Sequence, residues 1–342
     1  MRSLDATPTD GVSNVTPYAW NAMKWRRNPM KRLALALVAF WFGLVAAGTA
    51  HSQNSSSQPI RMACLQNDIH HLPLMVALDK GFFDEEGLQV QIAGIFRAGP
   101  EVMSAFSAGA IDMAYVGEAP TVTASANGTV NVWILAQVNT EGSAIVVGKD
   151  SQITDISGLK GKQIGVPGYS TVQDFLLRKA LGNFGLDGNG VKVTVIKPPE
   201  MIGALRTHQI DAFIAWEPYP AQAVAMGVGK MLVSSGAIWK NHPCCVLVVD
   251  KRFAERNGAV VKKTLEAHRK SIDFIHKNQD EAVKIAVKHT GLDEGTIRNG
   301  MRNVAYVSDL NVEGLKEYVK FLRELGYIKL DSIESFVEKI VY

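Results

Sequence analysis

Glu118 and Glu217 close two copies of one short phrase. Residues 110–120 read Ala-Ile-Asp-Met-Ala-Tyr-Val-Gly-Glu-Ala-Pro, and residues 209–218 read Gln-Ile-Asp-Ala-Phe-Ile-Ala-Trp-Glu-Pro. Each copy runs from a helix end through Ile-Asp and a short apolar stretch to Glu and Pro. The unit reads as helix, buried strand and abrupt stop. Ligands of open α/β sheets sit beyond the carboxyl ends of strands. The two carboxylates are therefore expected to face one another across a cleft between two similar lobes. There they receive a cation or N–H group from a ligand, or else they hold loops and cap helices.

Other residue types point to the same cleft. Gly168-Tyr169-Ser170-Thr171 joins a strand to a helix start, where free backbone N–H groups and the helix dipole favour an anion. Ser170 and Thr171 add hydroxyl donors, and either is also a helix cap. Trp216 stands beside Glu217 and offers an apolar wall, with core packing as the alternative. Asn67, Asp68, His70 and His71 follow the first expected strand. A histidine there donates to an anion or binds a ring nitrogen; the alternative is a solvent-facing helix start. His242 either reaches the cleft or braces the hinge. Cys64, Cys244 and Cys245 are the cysteines. They are expected as buried thiols, and no C-x-x-C or H-x-x-x-H spacing suggests zinc. No catalytic constellation, metal or cofactor is expected.

The elements that position these residues alternate in type. Strands are expected over 60–65, 88–92, 132–137 and 144–147, with helices over 71–83 and 100–108. A second round follows: strands over 163–166 and 191–196, helices over 172–184 and 201–208, and each round contains one copy of the phrase. A strand over 246–249 returns to the first lobe, and from residue 257 the chain reads as helical packing scaffold. Alternating strand and helix imply an α/β fold with mostly parallel sheets flanked by helices.

The 342 residues carry a net charge of +3, but the first fifty hold six basic and two acidic residues, leaving 30 basic against 31 acidic in 51–342. That balance argues against a nucleic-acid partner. Met30-Lys31-Arg32, the apolar run 33–47 and Gly48-Thr49-Ala50 read as a cleavable secretory leader over residues 1–52, with Met30 a possible true start. The run is short for a span of about 20 residues.

Five phrases, in order, carry a resemblance. They are Ala77 to Leu88 (Ala-Leu-Asp-Lys-Gly-Phe-Phe-Asp-Glu-Glu-Gly-Leu), Gly109 to Asp112, Val116 to Pro120, Leu159 to Val166 and Trp216-Glu217-Pro218. Together they resemble the periplasmic substrate-binding proteins of ABC importers, in the group for nitrate, taurine, aliphatic sulfonates and bicarbonate, which includes binders of thiamin-pyrimidine precursors. The resemblance implies a two-lobed, type II periplasmic binding fold with two hinge crossings, near Val147-Gly148 and near Lys240 to Pro243. Lobe 1 is then 58–147 plus 243–342, and lobe 2 is 148–242. It implies that the loops at 67–71 and 168–171 touch a small-molecule ligand, that the partners are a permease and its ATPase subunits, and that the chain works in the periplasm as a non-enzymatic monomer. No arginine falls within the cleft phrases, and Arg97 and Arg206 are expected to face elsewhere. A taurine-like or sulfonate-like solute fits, with an aminopyrimidine second. The alternatives are an enzyme similar to the pyrimidine synthases, which use a His and a cysteine cluster, and a periplasmic sensor.

Overall fold

The computed structural model describes residues 58–186 and 190–342. The expected leader, residues 1–52, lies outside them. Eleven strands are described: β1 Ile60–Leu65, β2 Val90–Phe96, β3 Met113–Gly117, β4 Val132–Glu141, β5 Ser143–Gly148, β6 Gln163–Val166, β7 Lys192–Val195, β8 Ala212–Trp216, β9 Gly229–Ser234, β10 Pro243–Asp250 and β11 Val304–Tyr306. They form two sheets, ordered β11-β4-β10-β3-β1-β2 and β7-β6-β8-β5-β9. Helices flank both, as the α/β reading expects.

Both sheets mix directions more than expected. Parallel pairing is confined to β1 with β2 and β3, and to β6 with β7 and β8. The antiparallel pairings involve the strands that leave for the other lobe or return from it, β4, β5 and β10. A chain that crosses between sheets enters from the hinge side and so runs against the strands already there. Strand β5 pairs in the second sheet, so the first crossing falls at Gly142 rather than near Val147-Gly148, and residues 143–147 belong with the second lobe. Gly142 has φ 86°, a conformation that glycine adopts without the Cβ penalty. The return passes through residues 239–242 into β10.

The repeated phrase has a physical explanation at its Ile-Asp. The amide of Asp112 donates to the Arg61 carbonyl at 2.8 Å, and Asp112 Oδ2 accepts from the Arg61 amide at 2.9 Å. The amide of Asp211 donates to the Gln163 carbonyl at 2.9 Å, and Asp211 Oδ2 accepts from the Gln163 amide at 2.8 Å. Each aspartate therefore staples the start of a central strand to the opening of its parallel neighbour, at the second residue of β1 and the first of β6. Ile111 and Ile210 are buried beneath these staples. All of β3 and β8 is buried, as expected of central strands covered on both faces.

The C-terminal helices do more than pad the first lobe. Leu315, Val319 and Leu322 form the buried stripe of helix Val312–Glu324. Tyr318 and Phe321 of that helix stack on Phe175 of the second lobe, with ring centroids 4.2 and 4.6 Å away. Aromatic pairs of this kind add to the apolar area they bury, so the tail ties the lobes together. Among the described residues no helix is long and apolar enough to cross a membrane.

Candidate functional site

β1 ends at Leu65, and the chain turns through Asn67, at φ 48°, into the short helical turn Ile69–His71. Asp68 Oδ1 caps that turn by accepting from the His70 amide at 2.9 Å. The Tyr306 hydroxyl donates to the Ile69 carbonyl at 2.8 Å and pins the turn from the tail. Asp68, His70 and His71 are all buried, which overturns the solvent-facing alternative. The two histidines are used differently. His71 Nδ1 accepts from the Leu65 amide at 3.2 Å, so its Nε2 carries the proton and looks towards Asp68 Oδ2 at 3.6 Å. His70 Nε2 lies 2.8 Å from the Gly142 carbonyl, and its Nδ1 lies 3.4 Å from Cys244 Sγ and 3.7 Å from Cys245 Sγ.

Adjacent residues of a regular strand point to opposite faces. Here β10 slips register against β4 on both sides of Cys245, and the two buried sulfurs end 4.0 Å apart. All three cysteines are free thiols. Burial opposes charge on His70, but the Asp68 carboxylate and Cys244 overcome it and raise the imidazole to about 9. Burial raises Asp68 to about 7 against the pull of His70. Burial also works against the Cys244 thiolate, yet Cys245 and His70 bring that thiol well below its ordinary value. Cys245 is pushed well above it by burial and by its neighbour Cys244.

Asp68, His70, Cys244 and Cys245 from one lobe meet Thr171, Gln173 and Trp216 from the other around a cavity of about 20 Å³. That is room for about one water molecule, so the cleft is closed. The Trp216 indole N–H is buried in this wall without a hydrogen-bond partner. Closure is reinforced at the rim. Lys197 pairs with Glu101 at 2.8 Å, Arg97 pairs with Glu200, and the Tyr219 hydroxyl donates to the Gln66 carbonyl at 3.2 Å. Arg97 thus sits on the rim. A larger groove of about 380 Å³ beside Arg298 and Arg302 lies on the outer helices, away from this group of buried donors.

The expected anion loop is filled by the chain itself. Thr171 caps helix Val172–Asn183, accepting from the Asp174 amide at 3.2 Å and donating to the Gly168 carbonyl at 2.7 Å. Asp174 Oδ2 accepts from the Ser170 amide at 2.9 Å and from the Tyr327 hydroxyl at 2.8 Å. Ser170 and Tyr169 stand outside the cavity wall, and Tyr169 is 52% exposed. Asn67 also lies outside that wall. What remains for a ligand is the first helical turn, whose leading N–H groups have no intrahelical acceptor, at Thr171, Val172 and Gln173.

The glutamates lie behind the cavity wall rather than in it. Glu118 is fully buried; its Oε2 accepts from Gln137 Nε2 at 3.3 Å, and its Oε1 has no partner. Burial raises it to about 8 despite Gln137, so it holds a proton at neutral pH. Glu217 accepts from Asn303 Nδ2 at 2.7 Å and from the Ala221 amide at 3.0 Å. It joins the second lobe to the C-terminal helices. His242 is buried, with Nδ1 3.0 Å from the Pro243 carbonyl and Nε2 unpartnered. It braces the return crossing and is not among the cavity-lining residues.

Of the residues singled out from sequence, His70, Thr171 and Trp216 meet in one cavity. His71 stands behind them, against Asp68. Sequence reasoning left Cys244 and Cys245 outside the ligand-binding set. Their adjacency was visible, but the slip in β10 that brings both sulfurs to one side was not.

A family profile described as the NMT1-like family matches residues 54–288. A putative aliphatic sulfonates-binding protein of Bacillus subtilis (strain 168) is 30% identical over 288 residues, covering 82% of this chain and 85% of that one. The alkanesulfonate-binding protein of Xanthomonas axonopodis pv. citri, solved bound to MOPS, superposes with a TM-score of 0.73 at 16% identity, over 83% of this chain and 98% of that one. The periplasmic nitrate-binding protein of Synechocystis PCC 6803 superposes with a TM-score of 0.71 at 18% identity, over 83% and 86%. These two structures show a shared periplasmic-binding fold.

Proposed function

Because the chain belongs to the NMT1-like family, we propose that it is the solute-binding protein of an ABC-type import system. It captures a small organic solute between its lobes in the periplasm and delivers it to a membrane permease. The solute class is a sulfonate bearing an amine or amide, of which taurine is the simplest form. The observation that carries this reading is the buried Trp216 N–H without an acceptor in the cavity wall. Beside it, the first turn of helix Val172–Asn183 supplies amides suited to the same anionic head. Asp68, on the opposite wall, supports a positive or N–H-bearing group at the other end. The kinship with a named sulfonate binder agrees. A cavity of about 20 Å³ is too small for such a solute, so the lobes part to load it and close over it.

The test is a thermal-stability screen against taurine, alkanesulfonates, nitrate, amino acids and aminopyrimidines. A ligand at 100 times its Kd adds about 2.7 kcal/mol of stability, an easily read shift. Trp216→Phe keeps the apolar wall and removes the donor, and should weaken a sulfonate by about tenfold. Shifts with pyrimidines alone would replace the sulfonate with the second solute class. The 3.4 Å contact between His70 and Cys244 favours one further reading, thiol chemistry on the bound solute. Recovery of unchanged solute after denaturation would remove it.

A further inference from the structure

We propose that His70 Nδ1, Cys244 Sγ and Cys245 Sγ form a three-donor site for a thiophilic divalent metal ion of the zinc class, with its fourth position open to the interlobe cavity. The inference goes beyond solute capture and stands whichever solute the cleft takes.

The first argument is distance. Zinc bonds of about 2.3 Å to sulfur and about 2.0–2.1 Å to nitrogen set the edges of a tetrahedron at about 3.8 Å between sulfurs and about 3.6 Å between sulfur and nitrogen. The donors lie 4.0 Å apart (sulfur to sulfur) and 3.4 and 3.7 Å apart (nitrogen to each sulfur). No large movement is needed to fit them around one ion.

The second argument is orientation. A metal-binding histidine usually donates its other ring N–H to a carbonyl or carboxylate. His70 Nε2 faces the Gly142 carbonyl at 2.8 Å, which leaves Nδ1 aimed at the sulfurs. Gly142 permits this approach, because a Cβ there would stand 2.3 Å from His70 Nε2. Asp68 Oδ1 lies 3.7 Å from Nδ1 and adds an outer-shell negative charge. A second donor set, Asp68, His71 and Cys245, also clusters. It fails on chemistry: His71 spends the lone pair of Nδ1 on the Leu65 amide.

The third argument is charge and softness. Two thiolates and one divalent ion sum to zero, which suits a site with all three donors buried. Thiolate ligands select zinc-class ions over magnesium and calcium. His70, Cys244 and Cys245 all line the cavity shared with Trp216, so the remaining position is open to a small molecule. Loading exchanges thiol and imidazole protons for metal, so affinity falls as the pH is lowered.

The experiment uses the exported full chain, purified under reducing conditions and stripped of metal by chelation. Zinc alone is titrated against a chromogenic chelator, and cobalt(II) is used as a spectroscopic stand-in. The expected result is one ion per chain, with tetrahedral cobalt bands and thiolate-to-cobalt charge transfer. X-ray absorption of the zinc-loaded wild type should give two sulfurs at about 2.3 Å, a readout that needs no variant. Cys244→Ser and Cys245→Ser should each weaken zinc beyond the 10–100-fold loss typical of outer-shell changes. His70→Gln should weaken it while keeping the charge-transfer band, and Cys64→Ser should change nothing. Absent charge transfer, a sulfur-free zinc shell, equal losses with Cys64→Ser, or binding of copper(I) without zinc would each overturn the assignment.

Discussion

The two copies of the Ile-Asp…Glu-Pro phrase share a scaffold and part company at the glutamate. Asp112 and Asp211 perform one task, stapling a central strand to the opening of its parallel neighbour. Glu118 and Glu217 perform two. Glu118 is sealed inside its own lobe with one oxygen unpartnered, and Glu217 is fully bonded and tied to the C-terminal tail. A repeat can therefore conserve the residue that builds a strand pair while its strand-end carboxylate is turned to unrelated uses.

Breaking the tie should have the largest effect. Glu217→Leu strands the Asn303 side chain and the Ala221 amide, and should cost about 2–4 kcal/mol in denaturant unfolding. It should also loosen closure and raise the Kd of any ligand. A loss below 0.5 kcal/mol, typical of a surface site, would deny it the role of a tie.

Glu118 should behave in the opposite way. Its folded value, about 8, exceeds the ordinary 4.5. Between those values the unfolded chain gives up the proton and the folded chain keeps it, so this residue reduces stability as pH rises from 4.5 to 8. Glu118→Gln keeps the shape without the charge. The variant should be nearly neutral at pH 5 and more stable than wild type at pH 8, by more than the roughly 1.4 kcal/mol of a single pKa unit. Parallel stability–pH curves for the two proteins would refute this.

The staples sharpen the comparison from the conserved side. Asp112→Ala also releases the Arg61 guanidinium, held at 2.7 and 3.1 Å. It should cost about 1–2 kcal/mol, against about 0.5–1 kcal/mol for the more exposed Asp211→Ala. Equal losses in urea unfolding would show that Arg61 adds nothing. The smallest effect belongs to the rim, where Lys197→Ala should cost less than about 0.5 kcal/mol, as exposed ion pairs do. Its signature is a faster ligand off-rate.

Most strands and helices were legible because their apolar spacing is local; helix Glu118–Ala126 and strand β9 were not expected, and the short strand β11 corrects the reading of the chain after residue 257 as helical throughout. The first crossing was not, because β4 and β5 read as separate apolar runs and nothing marked Glu141-Gly142 as the break. The anion loop was misread although a signal stood in plain view. Thr171 followed three residues later by Asp174 resembles a capping box, with the acid already in place. The thiol site was illegible for another reason. His70 and Cys244 are 174 residues apart in the chain, and motif spacing sees only near neighbours. Nor could the sequence tell which nitrogen of which histidine would be free, since that depends on backbone groups supplied by Leu65 and Gly142.

Gly142 carries a mechanical consequence. Its carbonyl accepts from His70 Nε2 of one lobe and from the Glu217 amide of the other, each at 2.8 Å, and it sits where the chain changes sheets. The first crossing between the sheets and the hydrogen-bond acceptor of the buried imidazole are one peptide group. A swing of the lobes about this peptide would turn that carbonyl and tilt His70 relative to the two sulfurs. Opening would then change the spacing of the three donors as well as widen the gap.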